Sequence, residues 1–155
     1  MKFLRSVDRL SHSLALSQAR IFEKSVSNGI PSKTFIRSYM LSKETKLIDD
    51  LNLDVAGLSE IELFDKIKKK INTNRGELYS FPIIHYIGYF YRMASYLTGL
   101  SSSQLYSTIK PDFIVRNYQT LHSLPIEESI KETFEITGTT IDDKISLFKK
   151  IYKID

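Results

Sequence analysis

Apolar residues recur along this chain at intervals of three and four, and no stretch keeps the period of two that a half-buried strand requires. Phe3, Val7, Leu10, Leu14, Ile21 and Phe22 form one stripe, with Arg5, Asp8, Arg9, Ser11 and Ser13 between them. That pattern predicts a long first helix with a single buried face. Asn28-Gly29 supplies residues that tolerate a left-handed turn, and Pro31 stops the helix. Ser32 is placed to cap a second helix carrying Phe35, Ile36, Tyr39 and Met40, which either continues or restarts through Leu47, Ile48 and Leu51. Residues from Asn52 to Gly57 read as a connection.

Ser59-Glu60-Ile61-Glu62 has the form of a capping box and predicts a helix with Ile61, Phe64, Ile67 and Ile71 on its inner face. From Phe81 to Leu97 the chain is apolar or aromatic nearly all round, the mark of a central helix packed on several sides. Gly88 within it costs about 1 kcal/mol relative to Ala, so it is expected to permit a close helix crossing. Gly99 ends that helix, and Ser101, Ser102 and Ser103 offer caps for a short one through Leu105, Tyr106 and Ile109. Pro111 starts a helix through Phe113, Ile114, Tyr118 and Leu121, and Pro125 another through Ile126, Ile130 and Phe134, closed by Gly138. Thr140 caps a last one, with Ile141, Ile145, Phe148 and Ile151 inward. The expectation is an all-α fold: one helical domain over residues 1–155, a compact bundle of about seven or eight short helices around the aromatic-rich one.

Composition narrows the chemistry. There is no cysteine, which excludes disulfides, thiolate metal sites and cysteine nucleophiles. Asp8 and Arg9 interrupt any signal-like apolar core, and His85 and Arg92 interrupt the longest apolar run, which is short of the ~20 residues of a membrane span. A soluble, cytoplasmic protein is expected. The net charge of +4 is a mild basic excess. Lys66, Lys68, Lys69 and Lys70 lie where positive charge complements a helix C-terminus, and Lys149, Lys150 and Lys153 lie near the end of the last predicted helix. Either cluster would also suit a nucleic-acid-binding regulator.

No phosphate-binding glycine loop, nucleophile elbow or paired metal-ligand histidines occur, so no cofactor and no metal are expected. His12, His85 and His122 are far apart in sequence. The segment Arg116-Asn117-Tyr118-Gln119-Thr120-Leu121-His122 resembles the motif of HEPN ribonucleases. That resemblance implies a metal-independent ribonuclease in which Arg116 steadies the scissile phosphate and His122 moves protons. A guanidinium grips phosphate through two bonds, and an imidazole suits acid–base transfer near neutrality. Residues six apart on a helix are about 240° apart around its axis, so the two converge only if the helix ends or bends between them. The cluster His85, Tyr86, Tyr89, Phe90, Tyr91, Arg92 and Tyr96 reads as core, with Asp112, Glu127 or Glu128 as candidate partners for a buried Arg92.

About half of the chain resembles a group of small helical proteins of Gram-positive bacteria, some encoded beside ADP-ribosyltransferase-like toxins. The resemblance rests on Phe35 to Met40, Tyr86 to Arg92, Ser102 to Tyr106, Asn117 to His122, and Leu124-Pro125 with Ile130. It implies a non-catalytic helical binding protein, the antitoxin-like partner of a toxin–antitoxin module, acting by occlusion of a neighbouring gene's product. Aromatic and Arg side chains dominate binding hot spots, which nominates Arg37, Tyr39, Arg92, Tyr106 and Tyr118 for partner contact.

Overall fold

The computed structural model describes residues 1–52 and 59–141. Among the described residues it contains helices and no strand: α1 (Arg9–Ser27), α2 (Ser32–Met40), α3 (Lys43–Asp49), α4 (Glu60–Lys68), α5 (Phe81–Thr98), α6 (Ser102–Thr108), α7 (Pro111–Arg116), α8 (Tyr118–Leu121) and α9 (Ile126–Thr137). Those nine exceed the expected seven or eight because the chain breaks at Leu41–Ser42 and again at Asn117. The last predicted helix, with Ile145, Phe148, Ile151 and Lys149, Lys150 and Lys153, lies outside the described residues, as does most of the connection after Asn52.

The first helix starts six residues later than the apolar stripe implied. Asp8 caps it reciprocally with Ser11: the Ser11 N–H donates to Asp8 Oδ1 (2.8 Å), and the Asp8 N–H donates to Ser11 Oγ (2.9 Å). The chain before Asp8 is therefore a strap laid across the C-terminal end of α5. The Leu4 and Arg5 N–H groups both donate to the Leu97 carbonyl (2.8 and 3.1 Å), one of the carbonyls that a helix end leaves without an internal partner. Val7 and Leu10, expected inward, are exposed, because a stripe read across the cap boundary does not continue on one face.

Three further details differ from expectation. Pro31, not Ser32, precedes the first residue of α2, and the Ser32 hydroxyl instead accepts from the Tyr79 N–H (2.9 Å). On α4 the buried positions are Leu63, Phe64 and Ile67, while Ile61 is exposed and Ile71 lies beyond the helix. The Ser59 hydroxyl accepts from the Glu62 N–H (3.1 Å) as expected, but it donates to the Glu62 carboxylate in return.

α1 and α5 run antiparallel as the central pair, with Asp8 opposite Tyr96, Gln18 opposite Gly88 and Glu23 opposite His85. Gly88 sits at the crossing: a Cβ there would lie 2.9 Å from Phe22 Cγ, 3.0 Å from Ala19 Cα and 3.1 Å from the Gln18 carbonyl oxygen. α1 and α4 run parallel and in register, since Arg20 pairs with Glu60, Lys24 lies over Phe64 and Lys68 reaches Asn28. α6 to α9 pack against other sides of α5. From Phe90 to Thr98 every residue of α5 is buried, so this helix supplies the core's axis.

Candidate functional site

Arg92 is the largest side chain in the interior, and its charge is fully compensated. Its Nη1 donates to Asp49 Oδ1 (2.6 Å), its Nε to Gln18 Oε1 (3.0 Å), and its Nη2 points at Ser102 Oγ (3.5 Å). Asp49 accepts in addition from the Ser102 N–H (2.8 Å) at the start of α6, the Ser102 hydroxyl (2.6 Å) and the Ser95 hydroxyl (3.3 Å). Gln18 completes the chain by donating to the Gly88 carbonyl (2.9 Å). The ion pair is 2% and 5% exposed on its two sides and ties α1, α3, α5 and α6 together. The partner of Arg92 is thus Asp49, and none of Asp112, Glu127 and Glu128. Asp112 lies instead by Lys33 (3.2 Å) and the Tyr79 hydroxyl (3.5 Å).

This network removes two of the residues nominated for partner contact. Arg92 and Tyr39 are 2% and 1% exposed, so in the folded chain neither presents a surface. Burial raises the pKa of the Tyr39 phenol, with Arg92 and Thr45 pulling the other way. Arg37 is exposed on α2 and has no ion pair among the described residues. Tyr106 is half-buried beneath Lys110, whose ammonium lies 4.5 Å from its ring centre. Tyr118 is half-buried and belongs to a different assembly, a row of rings.

That row runs across α8, α5 and α1. The His122 imidazole stacks flat on Tyr118 at 4.4 Å and 7°, Tyr118 meets Tyr86 edge-on at 5.6 Å, and on the next turn of α5 Tyr89 meets His12 edge-on at 6.1 Å. Tyr118 and His122 stand four residues apart, the spacing that places side chains side by side on a helix. A carbonyl oxygen only accepts, so the 2.7 Å contact of His122 Nδ1 with the Tyr118 carbonyl fixes the proton on Nδ1 and leaves Nε2 free. Desolvation pushes the phenol of Tyr86, mostly buried, up to about 12 while the nearby Ser129 hydroxyl pulls the other way, and the Tyr86 hydroxyl is buried without a hydrogen bond of normal geometry. The Thr133 hydroxyl on α9 is likewise buried and unpartnered.

The chain does break between the two residues of the ribonuclease-like segment. Arg116 ends α7, Asn117 adopts a non-helical conformation, and His122 caps α8. Both side chains are exposed, and no contact joins them. His85 meets Glu23 through Nδ1 at 2.7 Å, and the other sequence-flagged rings, Tyr91 and Tyr96, bond the Ile109 carbonyl and Asp8.

Of the lysines in α4 and just beyond it, Lys70 pairs with Glu44 (2.8 Å) and Lys68 lies 3.5 Å from the Asn28 amide oxygen, while Lys66 and Lys69 point to solvent. Among the described residues no cluster of metal-ligating side chains occurs, and no helix is long and apolar enough to cross a membrane. Two open grooves flank the N-terminal strap. One, of about 470 Å³, lies between Met1 and the end of α9, and the other, of about 420 Å³, between the strap, Leu97 and Glu127. Set against known protein families, curated proteins and solved structures, the chain matches none of them.

Proposed function

We propose that this protein is a non-catalytic helical binding protein of the bacterial cytoplasm that acts by occlusion, in the manner of the neutralising partner of a toxin. The observation that carries the reading is the row of rings His122, Tyr118, Tyr86, Tyr89 and His12. These amphipathic side chains come from three helices and contact one another as His122–Tyr118–Tyr86 and Tyr89–His12, with both histidines exposed and Tyr89 and Tyr118 half-buried. The buried network supports it too. It ties α1 to α5, the helices that carry His12, Tyr86 and Tyr89. The test is capture of partners from native cells with the tagged chain and with Tyr118→Ala and His122→Ala. The expected result is recovery of one neighbouring-gene product by the unaltered chain and a marked loss with Tyr118→Ala. Equal recovery by all three proteins removes the ring row from the interface, and recovery of none refutes the reading.

A second reading has its own observation. The break at Asn117 and the outward Nε2 of His122 give an Arg and a tautomer-fixed His on one short segment, as a ribonuclease would need. Cleavage of RNA by the unaltered chain, lost in both Arg116→Ala and His122→Ala, would establish it in place of the first.

A further inference from the structure

The end of α4 carries more positive charge than the stability of that helix accounts for. Lys66, Lys68, Lys69 and Lys70 crowd into a single turn and its exit. A helix C-terminus presents the equivalent of only about half a negative charge. Lys66 stands three and four residues from Lys69 and Lys70, the spacings at which like charges repel on a helix. Among the described residues, Lys70 alone of the four has a carboxylate partner, Glu44 Oε2 at 2.8 Å.

That partner brings in a second helix. Glu44 lies in the first turn of α3 with its side chain 9% exposed, so its bond to Lys70 joins the end of α4 to the start of α3. Lys43 and Lys46 lie one turn apart on the exposed side of α3. Burial pushes the Glu44 carboxyl up, yet its bond to Lys70 and the charges of Lys70 and Lys43 bring it below its ordinary value. Asp49 is engaged by Arg92, and the exposed Asp50 and Asp65 make no ion pair among the described residues. Six lysines against Glu44, Asp50 and Asp65 leave a surplus of three positive charges, most of the chain's net +4.

We propose that this surface of α3 and α4 binds the phosphate backbone of double-stranded nucleic acid. Lysine ammonium groups are compact point charges that suit phosphate, whereas carboxylates are matched by the fork of arginine, and neither helix contains an arginine. Within the α4 cluster the apolar residue Ile67 is 0% exposed, so the cluster offers a membrane no side chain to insert. No aromatic side chain is exposed on either helix, so unpaired bases have nothing to stack on. The surface shares no residue with the ring row or with Arg116 and His122, and it stands or falls apart from partner capture.

Fluorescence anisotropy of the full chain with short labelled DNA and RNA duplexes of mixed sequence tests it, at salt concentrations from about 50 to 200 mM. Binding of either duplex that weakens with salt is expected, and the tighter of the two names the ligand. Each lysine on a phosphate of a DNA duplex adds about 0.9 to the slope of log affinity against log salt. Lys43→Gln/Lys46→Gln and Lys66→Gln/Lys69→Gln are therefore each expected to lower that slope by about 2, and to weaken binding at low salt at least about tenfold. The Lys→Arg versions of both pairs should keep the slope, and Lys131→Gln on α9 should leave it unchanged. Absence of duplex binding at about 50 mM salt, a slope that either Gln pair leaves unaltered, an equal loss with Lys131→Gln, or equal binding of poly-glutamate would each overturn the proposal.

Discussion

Removing the carboxylate of Asp49 is the perturbation to which this fold should be most sensitive. Asp49→Ala leaves the Arg92 guanidinium buried among neutral groups alone, Gln18, the Tyr39 phenol and the more distant Ser102 hydroxyl, and it strips the Ser102 N–H of its acceptor at the start of α6. Breaking a buried ion pair from one side costs about 3–5 kcal/mol, because the stranded charge keeps its desolvation penalty. A chain of this length has a total stability of about 5–15 kcal/mol, so the loss is a large share of it. In thermal unfolding that corresponds to a fall in Tm of roughly 6–20 °C. Urea titration followed by far-ultraviolet circular dichroism measures it directly, with Arg92→Met and the pair Arg92→Met/Asp49→Ala completing a cycle. The pair should cost less than the two single changes added together by at least about 1 kcal/mol, since replacing both partners leaves no buried charge. A loss below about 1 kcal/mol for Asp49→Ala, or strict additivity in the cycle, would refute the claim that this network holds α1, α3, α5 and α6 together.

Three more outcomes follow from the same structure. Gly88→Ala gains helix propensity of about 1 kcal/mol but places a Cβ 2.9–3.1 Å from α1, two of its three nearest atoms being backbone, so a net destabilisation of about 1–2 kcal/mol is expected in urea unfolding. Thr133→Val removes a buried hydroxyl without a partner and should leave stability unchanged or raise it by about 1 kcal/mol; a clear loss would mean that the hydroxyl is satisfied in solution. The Ser11 N–H, with the Tyr96 hydroxyl, holds the Asp8 carboxyl below its ordinary value of 3.8. A depressed folded-state pKa contributes stability that is complete above the unfolded value and is lost as pH falls through the folded one. Asp8→Asn should therefore flatten the part of the acid stability profile that lies below about pH 4, and an unchanged profile would count against it.

The helical class, the core and most stops were legible in the sequence because they depend on local physics. Period and side-chain size made α5 central and placed Phe35, Ile36, Tyr39 and Met40 on one helix. The helix stops at Gly29, Gly99 and Gly138 followed from residue type, and all three glycines adopt left-handed backbone. The close approach at Gly88 was readable because a glycine inside a helix needs a reason. The boundary errors share one cause. Apolar spacing does not reveal where a cap overrides it, so the strap before Asp8 looked like a first turn.

The identities of long-range partners were decided only by tertiary structure. Asp112, Glu127 and Glu128 are as acidic as Asp49, and nothing local distinguishes them. Asp49 pairs with Arg92 because packing brings the end of α3 and the start of α6 to the same side of α5. The same holds for exposure. Sequence nominated Arg37, Tyr39, Arg92, Tyr106 and Tyr118 by residue type, yet which of them point outward depends on what packs beside each helix. Periodicity fixes which residues share a face, because it is a property of one helix; which face is covered, and by what charge, is a property of several helices at once.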